Sequence, residues 1–414
     1  MHLEVSKPIS LYDEKLSIRA KGLPVQSLVT FHLKVYDAAE ELWQSKATFR
    51  VPEEGCLELD VMAPIEGSYT SVDGMGLFNS LRAAETTIEH FFLPSQGLTY
   101  TLSVWAEGKK MANCFLHRLL QLPDTQKIKV REEGIVGTLF LPFSQPPLPL
   151  IITLGGSNGG LGEQRAQMLS CHGFATLALA YFGCETLPPY LERIDLGYFE
   201  KTLKYLETHY RDRIDFNRVG LYGISRGAEL SLLLGSLWPS RFTAITAVVP
   251  SSVVYDSMRE NGQPAWIYHG KEVIPAAPLP PFPRHAQQPI SHSPSFLEGA
   301  QNKLQFEQAA IAVENIEASI LLISGGEDQM WPSQFFAHQI LQRLQQEKKS
   351  LNIQHLDYPQ AGHRFTVAYL PQVGTCVFLP VAGCYLEAGG SVIANVQASN
   401  LAWKASYQFF IQNL

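Results

Sequence analysis

From about residue 130 onward, short apolar runs alternate with segments of helical period. That alternation leaves few folds open to the chain. "PLIITLGG" reads as a strand, "GEQRAQMLSCHG" as a helix and "FATLALAYF" as a strand. "LGYFEKTLKYLETHY" follows as a helix, "RVGLYG" as a strand and "SRGAELSLLLGSL" as a helix. Then come the strands "FTAITAVVP" and "ASILLISGGED", the helix "SQFFAHQILQRLQQEKK", the strand "LNIQHLDYP" and a closing helix "NLAWKASYQFFIQNL". Strand runs that are apolar throughout are buried on both faces. The expected product is a mostly parallel sheet with helices on both sides. "KIKVREEGIVGTLFLP" reads as a hairpin leading into it.

The first part of the chain has a different texture. "LVTFHLKVYDAAEELWQSKATFRVPEEGCLELDV" and "LTYTLSVWAEGKKMANCFLHRL" alternate apolar and polar residues and are cut by turns such as Pro52-Glu53-Glu54-Gly55. Such strands belong to an all-β sandwich. At 414 residues the chain is long enough for two domains. The expected division is a β-sandwich at 1–121 and an α/β domain at 122–414, with "LLQLPDTQKIKV" at the junction. Residues 263–296 break the α/β rhythm, being too rich in proline to hold a regular element for long. They form either a surface loop or a cap over the edge of the sheet.

Thirty-two basic against 39 acidic residues give a formal charge of -7, which excludes broad binding to a nucleic-acid backbone. The six cysteines include no C-x-x-C pair and read as reduced thiols. The first residues carry no apolar signal core, and no apolar run reaches the roughly 18 residues of a membrane span. A soluble, cytoplasmic protein is expected.

The alternation also gives one pentapeptide a setting. Gly223-Ile224-Ser225-Arg226-Gly227 is a G-x-S-x-G between a strand and a helix. A strand that reverses at once into a helix crowds its own side chains, and glycine removes the clash. The turn lifts the serine above the sheet at a helix N-terminus. A serine hydroxyl is a weak nucleophile and needs a base beside it. On this fold an acid and then a histidine follow in the chain. Glu327 and Asp328 follow the strand "ILLISGG", and His363 follows "LDYPQAG". Each lies just past a strand's C-terminal end, where open α/β sheets place their sites. Of the other histidines, His338 falls in a helix, His355 in a strand, and His285 and His292 in the proline-rich segment. Either acid is open at this point, since one of them is suited to cap the helix near Pro332-Ser333.

The oxyanion of an acyl-transfer intermediate needs preorganised N–H donors. The Arg226 backbone amide is one candidate. Ser157 and Asn158, in the loop Gly155–Gly160, offer the second. That glycine-rich loop lacks the lysine and spacing of a nucleotide-binding motif. Arg226 and Arg193 are candidates to face an anionic group of a substrate.

With these residues placed, nearly the whole chain resembles the type I acyl-CoA thioesterases and bile acid-CoA:amino acid N-acyltransferases. "GSYTSVDGMGL" (67–77) is similar to that family's G-S-F-T-G-x-x-P-M-G-L, with Gly74 in place of proline. "GGSNGGLGEQRAQMLSCHGFATLALAYF", "LGYFEKTLKYL", "GISRGAEL", "GGEDQMW" and "YPQAGH" resemble its glycine loop, its approach to the nucleophile, its elbow and its acid and histidine segments. Near the end, "GGSVIANVQASNLAWK" has Ser391 and Asn395 where relatives often carry an acid and a histidine. The resemblance implies an α/β-hydrolase domain behind an accessory β-sandwich, acyl-CoA thioesters as substrates, and Ser225, Asp328 and His363 as a triad. It favours Asp328 over Glu327. It calls for no cofactor and no metal. It also implies hydrolysis, because the family's amino acid transferases carry cysteine at the elbow and its thioesterases serine.

Overall fold

A computed structural model describes residues 1–85, 90–259, 261–282, 287–347, 351–372 and 374–414. The described chain divides into two compact units. The first comprises Met1–Pro123 with Thr366–Gly374 and Ser399–Leu401. Its two sheets form a β-sandwich. One joins His2–Val5, Ile18–Lys21 and Cys56–Glu58. The other is built on Leu28–Tyr36, Leu42–Arg50, Gly97–Ala106 and Lys109–Leu119. The period-two pattern does its work here: Val29, Phe31, Leu33 and Val35 all turn into the core. Arg118 is buried in this unit, and its guanidinium donates to the carbonyls of Tyr12 and Glu14 at 2.5 and 2.6 Å.

The second unit holds an eight-stranded sheet. Across it the strands run Gln126–Val130, Val136–Leu141, Ala175–Ala180, Leu148–Leu154, Ile214–Ile224, Ala244–Val248, Ser319–Gly325 and Ile353–Tyr358. The first two pairings are antiparallel and the rest parallel. Each strand expected from the apolar runs is present. Ala175–Ala180 and Ala244–Val248 are buried from end to end, and Leu148–Leu154 at every residue but Pro149, because helices cover both faces. This is the α/β-hydrolase fold. Its parallel strands end on one edge, and three of those ends carry Ser225, Asp328 and His363.

Some elements differ from the pattern reading. The closing helix runs Val392–Asn413, starting eight residues before the expected Asn400. Ser391 caps it, its hydroxyl accepting the Ala394 amide at 3.2 Å. The proline-rich segment holds more order than its composition suggests. Trp266–Tyr268 pairs with Ile194–Asp195, and a helix Ser293–Gly299 starts inside the segment with a proline in its first turn. The helix that starts at Ser333 is described through Gln346; Lys348 and Lys349 lie outside the described residues. So does His285. No helix among the described residues is long and apolar enough to cross a membrane.

Candidate active site

Ser225 stands between the strand Ile214–Ile224 and the helix Arg226–Leu237. Its backbone has φ 56° and ψ -123°, a conformation that costs a non-glycine residue about 1–3 kcal/mol. Both sides of the residue are pinned. Its amide donates to the Val248 carbonyl at 2.9 Å, and its carbonyl accepts the amides of Ala228 and Glu229 at 2.8 and 3.1 Å. Gly223 and Gly227 have the spatial role the motif requires. A Cβ on Gly223 would land on the Gly227 carbonyl oxygen, and one on Gly227 on the carbonyls of Leu154 and Gly155.

His363 Nε2 lies 3.0 Å from Ser225 Oγ, and His363 Nδ1 lies 2.8 Å from Asp328 Oδ2. An ionised carboxylate only accepts, so Nδ1–H donates to Asp328 and Nε2 is left to accept the serine proton. All three side chains are nearly buried, at 9% exposure for Ser225, 4% for Asp328 and 7% for His363. The second Asp328 oxygen accepts the amides of Met330 and Trp331 at 3.0 and 3.2 Å, which fixes the carboxylate plane. Glu327 is exposed, and the helix at Ser333 has no side-chain cap. Trp331 sets its ring edge-on to His363, with centroids 6.0 Å apart.

The acid and histidine loops are tied together by a strap that the sequence reading missed. Ala388 accepts the His363 amide at 2.7 Å. Gly389 bridges to Asp328 and Gly390 to Ala361. Asn395 is fully buried; it accepts the Gly362 amide at 2.8 Å and donates to the Gly389 carbonyl at 3.0 Å. The Gly389-Gly390 pair, at φ 77° and 68°, was the available signal.

A void of about 30 Å³ adjoins the serine, lined by Ser157, Ser225, Arg226 and His363 with apolar residues. Asn158 lines the neighbouring cavity, of about 180 Å³, which shares Ser157 and Met258 with the void. A Cβ on Gly156 would lie 3.1 Å from Ser225 Cβ, so this loop passes directly beside the nucleophile position. The Arg226 amide opens the helix, where no earlier turn supplies it an acceptor. His292, set aside in the sequence as part of the proline-rich segment, also lines the void. Leu279, Phe282 and Phe296 come from the same stretch.

The Arg226 side chain does not face a substrate anion. It is 2% exposed and turned inward, donating to Glu229 at 2.9 Å and to the carbonyls of Tyr255 and Asp256 at 2.8 and 3.2 Å. Trp266 donates to the other Glu229 oxygen at 2.7 Å. A residue one place after the serine starts the buried helix, and its long side chain has only the interior to enter. Arg193 is exposed. Burial pushes the Glu229 carboxyl up to about 7, against the pull of Arg226 and the Trp266 N–H.

The pattern of similarity follows this architecture. Residues 13–132 match the family described as acyl-CoA thioester hydrolase/BAAT N-terminal region, and residues 194–414 that described as BAAT/acyl-CoA thioester hydrolase C terminal. Rat acyl-coenzyme A amino acid N-acyltransferase 2 is 32% identical, with 98% of this chain and 96% of that protein covered. Rat acyl-coenzyme A thioesterase 1 is 31% identical, with 98% and 94% covered. Mouse acyl-coenzyme A thioesterase 2, mitochondrial, is also 31% identical, with 98% and 87% covered.

Arg226→Met leaves Glu229 buried opposite no cation and should cost about 3–5 kcal/mol at pH 8 in urea unfolding. An acid whose folded-state pKa is raised contributes less stability as pH rises from about 4.5 through about 7. The loss should therefore shrink toward pH 5, where Glu229 takes a proton. A loss below about 1 kcal/mol at pH 8 contradicts the buried pair's role.

Proposed function

The chain belongs to the acyl-CoA thioester hydrolase/BAAT family, and from that premise we propose that it is an enzyme acting on acyl-CoA thioesters, hydrolysing them to free acid and CoA through an acyl-serine intermediate. The observation that carries this reading is the hydrogen-bonded series Ser225–His363–Asp328.

In the proposed mechanism Ser225 Oγ attacks the thioester carbonyl carbon while His363 Nε2 takes its proton. Asp328 holds the imidazole in the tautomer that accepts at Nε2 and stabilises the imidazolium once formed. The Arg226 amide, with an amide of Ser157 or Asn158, donates to the tetrahedral oxyanion. Collapse breaks the C–S bond, and His363 gives its proton to the departing thiolate. Water then attacks the acyl-serine ester with His363 as base. The C–O bond to Ser225 breaks, the proton returns to Oγ, and the acid leaves. The buried site removes competing water from these charges, which strengthens each interaction.

A second reading has its own support, since relatives 30% and 32% identical are named acyl-coenzyme A amino acid N-acyltransferases. An amine would then replace water as the acceptor of the acyl group. Serine at position 225 argues for water. By the same resemblance that identifies the elbow, the transferases carry cysteine there. An acyl-serine ester is also a less reactive donor to amines than a thioester. A carboxylesterase or peptidase on this fold would use the same three residues.

Purified protein should release free thiol from acyl-CoA at a rate unaffected by added glycine or taurine. Ser225→Ala should lower kcat by about 10³-fold or more. Conversion of the acyl group to an amide when glycine is present would favour transfer. Turnover of simple esters without thiol release from any acyl-CoA would sink the thioesterase reading.

A further inference from the structure

The void beside Ser225 has about 30 Å³ of free space, room for about one water molecule. An acyl group of any length attached to Ser225 must extend elsewhere. Two larger cavities adjoin the void. One, of about 180 Å³, shares Ser157 and Met258 with it and includes the Arg259 guanidinium, stacked 4.7 Å over Tyr190. The other, of about 610 Å³, shares Leu279, Phe282 and Phe296 with it. A further cavity of about 650 Å³ meets the second at Phe306 and shares no wall residue with the serine void.

Room and charge decide between the two neighbours. The smaller also has apolar walls, Phe182, Leu191 and Val381 among them, but it offers only about 180 Å³ and a long hydrocarbon chain confined there would lie against Arg259, stripping water from a charge. The larger cavity presents Tyr255, Ala277, Pro280 and the rings of Phe282, Phe296 and Phe306. Its polar lining, Ser295, Glu298, Asn302 and Gln305, is exposed or half-buried, so it stands at the mouth. The partition from the serine is made of side chains. Phe282 stacks on His292 with centroids 4.6 Å apart, and His292 meets Phe296 edge-on at 4.9 Å. Side chains can change rotamer without moving the fold, which a backbone wall cannot.

We propose that this cavity, behind Leu279, Phe282 and Phe296, receives the hydrocarbon chain of the acyl group. The three side chains form the door between it and the nucleophile. The proposal rests on Ser225 as the acylated residue and names the part of the protein that measures chain length. It assigns the stretch Ala277–Phe282 and the helix Ser293–Gly299 the role of an acyl-chain cap. The cavity on the Arg259 side is left for the polar thiol portion of the substrate.

The test uses alkyl fluorophosphonates with an ethyl or a dodecyl chain on the full-length protein. In this reaction Ser225 Oγ forms a bond to phosphorus, fluoride leaves, and His363 takes the hydroxyl proton. Labelling rates are read by intact mass. Gly299 and Ser295 lie four residues apart on one helix and both line the cavity. A Cβ on Gly299 would meet only Pro280 Cγ, at 4.0 Å, so a side chain can be started there without striking backbone. Gly299→Phe and Ser295→Phe should each lower the dodecyl-to-ethyl rate ratio about tenfold or more. The ethyl rate, which reports an intact fold and nucleophile, should stay within about twofold of the starting protein. A ratio unchanged in both variants overturns the proposal, as does a dodecyl probe no faster than ethyl on the unaltered protein. Thiol release from acyl-CoA is measured in parallel. A lowered ratio without thiol release upholds the chamber and sinks the thioesterase reading; thiol release with an unchanged ratio does the reverse. No labelling by either probe overturns both.

Discussion

The site depends on backbone brought against backbone at Gly223 and Gly227. The first turn of the serine helix leaves Gly223 no room for a Cβ, and Gly227 is pressed against the Leu154 and Gly155 carbonyls at the end of the neighbouring strand. That approach forces Ser225 into a positive φ. The strain is held by three backbone hydrogen bonds, one to the neighbouring strand through Val248 and two within the helix. It is what carries Oγ off the sheet to within 3.0 Å of His363. Placing the same serine inside either element would turn its hydroxyl along that element's own face.

A second constraint acts on the partners. Asp328 and His363 come from loops after two adjacent strands, and loops drift unless tied. The strap Ala388–Gly390 ties both, and Asn395 clamps it to Gly362. Ser391 and Asn395, near the C-terminus, both have structural work. Ser391 caps the last helix, and Asn395 satisfies two buried backbone groups beside the histidine. The Arg226–Glu229 pair does similar work under the elbow, linking the serine helix to Trp266 and to the carbonyls of Tyr255 and Asp256.

What the sequence made legible was local. The strands at Leu148, Ala175, Val219, Ala244 and Ser319 stand out because burial on both faces demands continuous apolar runs. The elbow stands out because its glycines are fixed by sterics, Ser225 and Asp328 because each follows such a run, and His363 because it follows the last, half-buried edge strand Ile353–Tyr358. Less legible were features made by distant segments. The strap works through main-chain groups, which any side chain carries, so only its glycine pair marked it. The residues that wall the serine void, Leu279, Phe282, His292 and Phe296, lie in a stretch without periodicity. Proline there fixes the path of the chain while erasing the pattern that would reveal it. Arg226 looked available to a substrate because a sequence shows charge but not direction. Nothing local marked the return of Thr366–Gly374 and Ser399–Leu401 to the first unit.

The account makes one covalent species central, an ester between the acyl group and Ser225. Rapid acid quench of the enzyme mixed with excess acyl-CoA, followed by proteolysis and peptide mass mapping, looks for it directly. The account predicts an acyl mass increment on the peptide carrying Ser225, decaying as free acid appears. An increment on another residue, or turnover with no acylated peptide at any quench time down to the first turnover, would contradict it.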